Sequence, residues 1–320
     1  MTASRDSYPI PGTLNVALAL GASGTCAALL FGASHAASWP GRLGYAVAFS
    51  FVANTVFSLL HEAVHRTLHR NRLVNEAVGM VAAALFPTSL TFQRICHLGH
   101  HRRNRTDAEM FEMYGPGDNR FLKALQMYGI LTGFYWTLAP LGCVLFLVAP
   151  GLFALPKRAT AVEVRQTGLA AMLSGFEGDI PGARIRLEVL FAAAFQALLF
   201  LALGLTFAGW LTCYWAFALN WGALQYADHA WTIRDIRNGA WNLRVNPIVR
   251  ALFLNYHHHL AHHQHPNVPW IHLGRLVDEA APRPRFLSIY LRMWKGPTPA
   301  TEPPPSRIEP GFAAVLDAQR

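Results

Sequence analysis

The sequence predicts an all-α integral membrane protein with about four transmembrane helices, arranged as two hairpins with a cytoplasmic helical cap. Three observations predict it. Of 320 residues, 52% are apolar and only 14% charged, too little polar surface for a soluble domain of this size. The apolar residues gather in runs of roughly twenty or more, the length that carries a helix across a bilayer. Finally, thirteen of the fifteen histidines fall in four places between and after those runs.

Residues 1–12 read as a polar N-terminal tail, "MTASRDSYPIPG". It lacks the charged-then-apolar build of a cleaved signal, so the first apolar run is a retained helix. That run, about 13–33, is separated from the second, about 41–60, only by "ASHAASWPGR", and the two form a hairpin. Residues 73–92 are apolar but contain Glu76 and the interruption "FPTSL", which suggests an interfacial or re-entrant helix. A third span covers about 125–149. The stretch 188–227 is longer than one crossing needs, and is either one projecting helix or two helices broken near "LGLTFAGW".

Basic residues set the expected sidedness. Residues 66–123 carry nine Lys/Arg and the region from 229 onward eleven, against one in the first hairpin loop and five in 151–187. The positive-inside rule places both histidine-bearing regions in the cytoplasm, here expected to be that of a bacterium with the chain in its inner membrane. An even number of crossings must then separate them, which favours a single long helix over 188–227. One membrane domain is expected over 13–295, followed by a proline-rich tail, 296–320, expected to be disordered. The net charge of +9 is a topology signal, and no zinc-finger, RNP-like or helix-turn-helix pattern points to nucleic acid. Cys26, Cys96, Cys143 and Cys213 contain no CxxC; they read as free thiols, and Cys96 as no ligand in spite of its neighbour His97.

The histidine spacing carries the chemistry. "HEAVH" puts His61 and His65 one turn apart on a helix, and "HLGHH" (His97, His100, His101) and "HLAHH" (His259, His262, His263) each put three imidazoles on one face. His229 ends the last apolar run. Neutral imidazoles packed together without a metal would leave buried polar groups unpaired, and imidazole is the commonest ligand for iron, copper or zinc. Eight or nine exceed zinc's four and suit two metals with octahedral preferences. His35, His69 and His272 read as structural, and His257, His258 and His265 carry no assigned role. "HEAVH" alone also fits a membrane zinc hydrolase with Glu62 as general base. Two further triple-histidine boxes make that the weaker reading, and a metal-handling protein without catalysis would not require the three-box order.

With these boxes, in this order and with apolar hairpins between them, the chain resembles the membrane fatty acid desaturase superfamily over about residues 41–275. The acidic stretch "RNRTDAE" after box two and the exit "HPNVPWIHL" after box three belong to the resemblance. It implies two iron ions held by His61, His65, His97, His100, His101, His229, His259, His262 and His263, with O2 bound between them and hydrogen taken from an alkyl chain. By the same likeness Gln225, four residues before His229, stands where a water-mediated amide ligand is expected, although asparagine is commoner there. Glu62, Asp107, Asp228 and Glu109 are candidates to orient imidazole N–H groups.

Desaturation of a fatty acid or fatty acyl chain is the leading outcome. Hydroxylation, ketolation and oxidative decarboxylation to a terminal alkene occur on similar proteins. For a free carboxylate or a headgroup, Arg94, Arg102, Arg103 and Arg105 around box two are the candidate anchors. No electron-carrier motif is present, so a separate donor such as a ferredoxin, rubredoxin or cytochrome is implied.

Overall fold

In the computed structural model the described residues are 7–153, 181–305 and 308–319. They are mostly helical, with a single two-stranded parallel pairing. α1 (Gly12–His35) and α2 (Trp39–Val64) pack side by side, joined by a turn whose Ser38 hydroxyl caps α2 at Gly41 N. α2 is the central helix, touching α1, α3 (Arg72–Leu85), α4 (Leu90–Arg103) and α8 (Phe207–Ala227). Its side chains Phe49, Leu59 and Leu60 are fully buried, while those near its start, Trp39 and Val47, are exposed. On the outer helices large apolar side chains remain exposed, Leu20 at 68% and Leu201 at 83%, the surface expected of a chain solvated by lipid.

α3 and α4 meet at a 90° bend, and α5 (Arg120–Leu131) and α6 (Phe134–Val148) at a 92° bend. The stretch 125–149, expected as one crossing, is therefore broken. Gly133, at φ +83°, takes a left-handed conformation that costs a residue without a Cβ little, and the chain turns there.

The single long helix expected over 188–227 is also not formed. α7 (Gly182–Leu203) ends at Gly204, left-handed at φ +56°, and Thr206 caps α8 through Gly209 N. A C-terminal glycine and an N-capping threonine within three residues outweigh the unbroken apolar run. α8 folds back on α7, so that Trp210 Nε1 donates to Gln196 Oε1 at 3.1 Å. The turn at Gly204 lies beside His35, at the end of the molecule that holds the α1–α2 turn. The C-terminal ends of α2 and α8 lie together at the opposite end. Three helices, α1, α2 and α7, are long and apolar enough to cross a membrane, and up to five spans result if each bent pair counts as one.

The described residues after α8 build a polar layer at that opposite end. It holds α9 (Pro247–Leu252), α10 (His259–Gln264), a 3-10 turn at Trp270–Leu276, and α11 (Phe286–Met293). The segment expected as a disordered tail is instead structured where described. β2 (Thr298–Pro299) pairs with β1 (Met113–Tyr114), and α12 (Pro310–Asp317) docks on α4 by burying Phe312 and Leu316 against Leu98. Two apolar residues a helical turn apart suffice to seat a short helix that proline content alone marks as unstructured.

Candidate dinuclear metal centre

Each histidine segment is held by a distinct device. His61 lies in the last turn of α2 and His65 at its C-cap, so both point from one face. The carbonyls left open there are filled by Arg94 of α4, which donates to Val64 O at 3.1 Å and Ala63 O at 2.9 Å and pairs with Glu76 at 2.8 Å. α4 itself, bearing His97, His100 and His101, is anchored at its start by Glu188 of α7. That carboxylate accepts from Ser89 Oγ, Thr91 N and Thr91 Oγ1 within 2.8 Å. α10 carries His259, His262 and His263, and Asn242 Oδ1 accepts from Ala261 N at 3.1 Å. His229 follows α8. Its loop is tied down by the fully buried Glu112, which accepts from Trp231 N at 2.9 Å and pairs with Arg105 at 2.7 Å. Burial pushes the Glu112 carboxyl up, but Arg105 and the hydrogen bonds outweigh it and hold the group below its usual range.

These devices bring all nine expected histidines together. His61, His65, His97 and His262 form one group and His100, His229, His259 and His263 a second, the ligand atoms within each group lying within 4.8 Å of one another. His101 adds a fifth imidazole to the first group, with Nε2 3.1 Å from His97 Nε2 and 3.0 Å from His262 Nε2. Its ring lies 4.2 Å from that of His263, between the two groups. His257 and His258 stack on each other at 4.0 Å outside both groups. His69 and His272 are placed elsewhere: His69 accepts from Asn71 N, and His272 contacts Pro9 O.

The donor set fits two cations. His100 Nδ1 meets Glu109 Oε2 at 2.6 Å and His229 Nδ1 meets Gly239 O at 2.9 Å, contacts that direct the Nε2 atom of each ring to the centre. These Nε2 atoms face each other at 3.2 Å, a spacing that a cation held by both would accommodate. Ligand bonds of about 2.1 Å at right angles set two nitrogens about 3.0 Å apart, close to the 3.0–3.2 Å found in four such pairs. The Nε2 atoms of His61, His65 and His263 are buried with no protein partner. Burial first, and then neighbouring charged groups, keeps His229, His259, His262 and His263 well below their ordinary pKa, in the neutral form that binds metal.

The tentative residues divide. Asp228 lies 3.5 Å from His259 Nδ1, and Glu109 holds His100. Gln225 Oε1 accepts the Tyr256 hydroxyl at 3.0 Å. Glu62 instead turns to Trp270 N at 3.4 Å, and Asp107 pairs with Arg234 at 2.5 Å. The expected anchors are otherwise engaged: Arg94 as above, Arg102 with Asp317, Arg103 with Glu109 and Arg105 with Glu112. Two partners were not anticipated, the Gly239 carbonyl and Gln319 Oε1, which meets His65 Nδ1 at 2.7 Å. A backbone carbonyl leaves no mark in a sequence, and Gln319 stands in a segment read as unstructured.

A cavity of about 140 Å³ reaches the centre, with His97, His100, His229, His259 and Gln225 at one end. Its walls include Phe57, Phe92, Phe111, Tyr135 and Trp221, with Glu109 as the one acid, and among the described residues no arginine or lysine lines it. The model for fatty acid desaturases matches residues 37–296. The chain belongs to the fatty acid desaturase family. Among curated proteins none matches it. Membership makes the chain an integral membrane oxidoreductase of desaturase type, acting on fatty acyl chains. The matched range takes in all three histidine motifs and His229.

Proposed function

We propose that the chain is a dinuclear iron enzyme that uses O2 to remove hydrogen from a fatty acyl chain and introduces a double bond. The observation that supports this most directly is the facing pair His100 and His229, their Nε2 atoms 3.2 Å apart at the mouth of an apolar cavity. Bound by the nine histidines, iron would supply the O2-derived oxidising power that an unactivated C–H bond requires.

The chain's own residues do the rest. Trp221, Tyr135 and Phe111 hold the alkyl chain and exclude water from the reacting carbon. Glu109 and Gly239 fix the tautomers of His100 and His229, and Asp228 stands 3.5 Å from His259 Nδ1. Gln225, its carbonyl held by Tyr256, is the water-mediated partner of the second group. Among the described residues no arginine or lysine lines the cavity, and Arg94, Arg102 and Arg103 are each paired with a carboxylate, which supports desaturation over decarboxylation of a free acid.

The spans are two hairpins, α1–α2 and α7–α8, with the histidines on the cytoplasmic side of the membrane, taken to be a bacterial inner membrane. α7 and α8 supply two crossings between His100 and His229, so the bent α5–α6 pair enters the bilayer and returns. Electrons come from a separate acidic donor, a ferredoxin, rubredoxin or cytochrome, docking on the arginine-rich face.

Mass spectrometry of lipids and headspace volatiles from expressing cells, beside a His262→Ala control, tests the reaction. A new double bond at unchanged carbon number is expected. A terminal alkene one carbon shorter, or a gain of oxygen, would overturn desaturation in favour of decarboxylation or of hydroxylation and ketolation.

A further inference from the structure

α12 lies across α4, with Phe312 and Leu316 on Leu98 and Asp317 paired to Arg102. This docking carries Gln319, only 3% exposed, to the edge of the first histidine group. Its Oε1 accepts from His65 Nδ1 at 2.7 Å, and its Nε2 donates to Asn267 Oδ1 in the exit from box three. The two bonds use opposite ends of one amide, so each fixes the orientation the other needs. With Nδ1–H engaged, the lone pair of His65 must sit on Nε2, the buried nitrogen that has no protein partner. In the second group the same service comes from Glu109 for His100 and from the Gly239 carbonyl for His229. In the first, His65 draws it from a residue 254 positions away.

We infer that Gln319 is a positioning residue of the dinuclear centre, and that α12 is a strap that completes the metal position of the first group. The inference rests on the dinuclear reading above. It requires that losing the amide weaken one metal position and spare the other, because no residue of the second group touches Gln319.

The test is iron per chain, measured on the purified full-length protein by elemental mass spectrometry during a graded chelator challenge. Wild type is expected to keep two irons. Gln319→Met, similar in size but without the acceptor, should release one of them at roughly 10- to 100-fold lower chelator concentration, the usual effect of removing a partner behind a ligand. Gln319→Glu restores an acceptor for His65, with the Asn267 amide turned to donate, and should recover retention. Equal retention in Gln319→Met and wild type would overturn the inference while leaving the dinuclear reading intact. A wild type that binds no iron would overturn that reading itself. Loss of monodisperse protein in both variants would assign Gln319 to folding and overturn the positioning role.

Discussion

At the scale of single residues, the histidines differ by what stands behind them. His100→Ala and His262→Ala each remove a ring from the centre of a group. Both are expected to abolish product formation while leaving membrane insertion unchanged, read by lipid analysis and by protein level in isolated membranes. Glu109→Gln keeps an oxygen for His100 Nδ1 but loses the charge paired with Arg103. A fall of roughly 10- to 100-fold in iron affinity or turnover is expected, measured by chelator competition. Glu62→Gln keeps an acceptor for Trp270 N and for the Thr67 side chain and should leave readily measured turnover, which a general-base role would forbid. The ligand histidines are legible in the sequence because HxxxH and HxxHH fix which rings share a helical face. Their partners are less so, since Asp107 and Glu109 both look suitable in "RTDAE" and only the turn of the chain decides that Glu109 reaches His100.

At the scale of elements, the breaks matter more than the runs. Hydropathy locates α1, α2 and α7 because lipid-facing helices need only length and composition. It does not locate the turn at Gly133, and at Gly204 it leaves one helix or two broken near "LGLTFAGW" both open; the left-handed glycine decides for the break. Nor does it reveal α12, which rests on two side chains. Arg94 shows how an element is tied to its neighbour: one guanidinium on α4 closes the end of α2 and pairs with Glu76 of α3. Arg94→Ala reopens the Val64 carbonyl and leaves the part-buried Glu76 with Arg184 as its remaining cation, with an expected loss of about 1–3 kcal/mol. Arg102→Ala breaks a pair whose aspartate is 57% exposed, for which about 1 kcal/mol or less is expected. Thermal unfolding in detergent, followed by loss of monodisperse protein, should rank Arg94→Ala well below Arg102→Ala.

At the scale of the whole molecule, both helix turns lie at one end and all nine histidines at the other. Cysteine substitution tests the orientation proposed for these ends. Ala37→Cys in the α1–α2 turn should react with a membrane-impermeant thiol reagent added to intact cells, after permeabilisation of any outer membrane. Glu279→Cys, 79% exposed in its side chain, should react only after the membrane is opened. Reversed labelling would put the centre on the outer side. The fold class and the end of the molecule that holds the site are legible in composition and charge asymmetry. The crossings are not, because the count depends on the two glycine turns.

The nine histidines come from four stretches of chain, the ends of α2 and α8, the helix α4 and the short helix α10, spread from residue 61 to residue 263. Such a centre forms only after the last stretch has emerged and folded back on the first, and metal binding then contributes to closing the polar layer. On the dinuclear iron reading proposed above, iron supply becomes a checkpoint on the protein's own lifetime. A cell short of iron would hold chains whose apolar helices are inserted but whose polar layer is still open to proteases. Abundance of the protein would then follow the metal through degradation, even at constant synthesis.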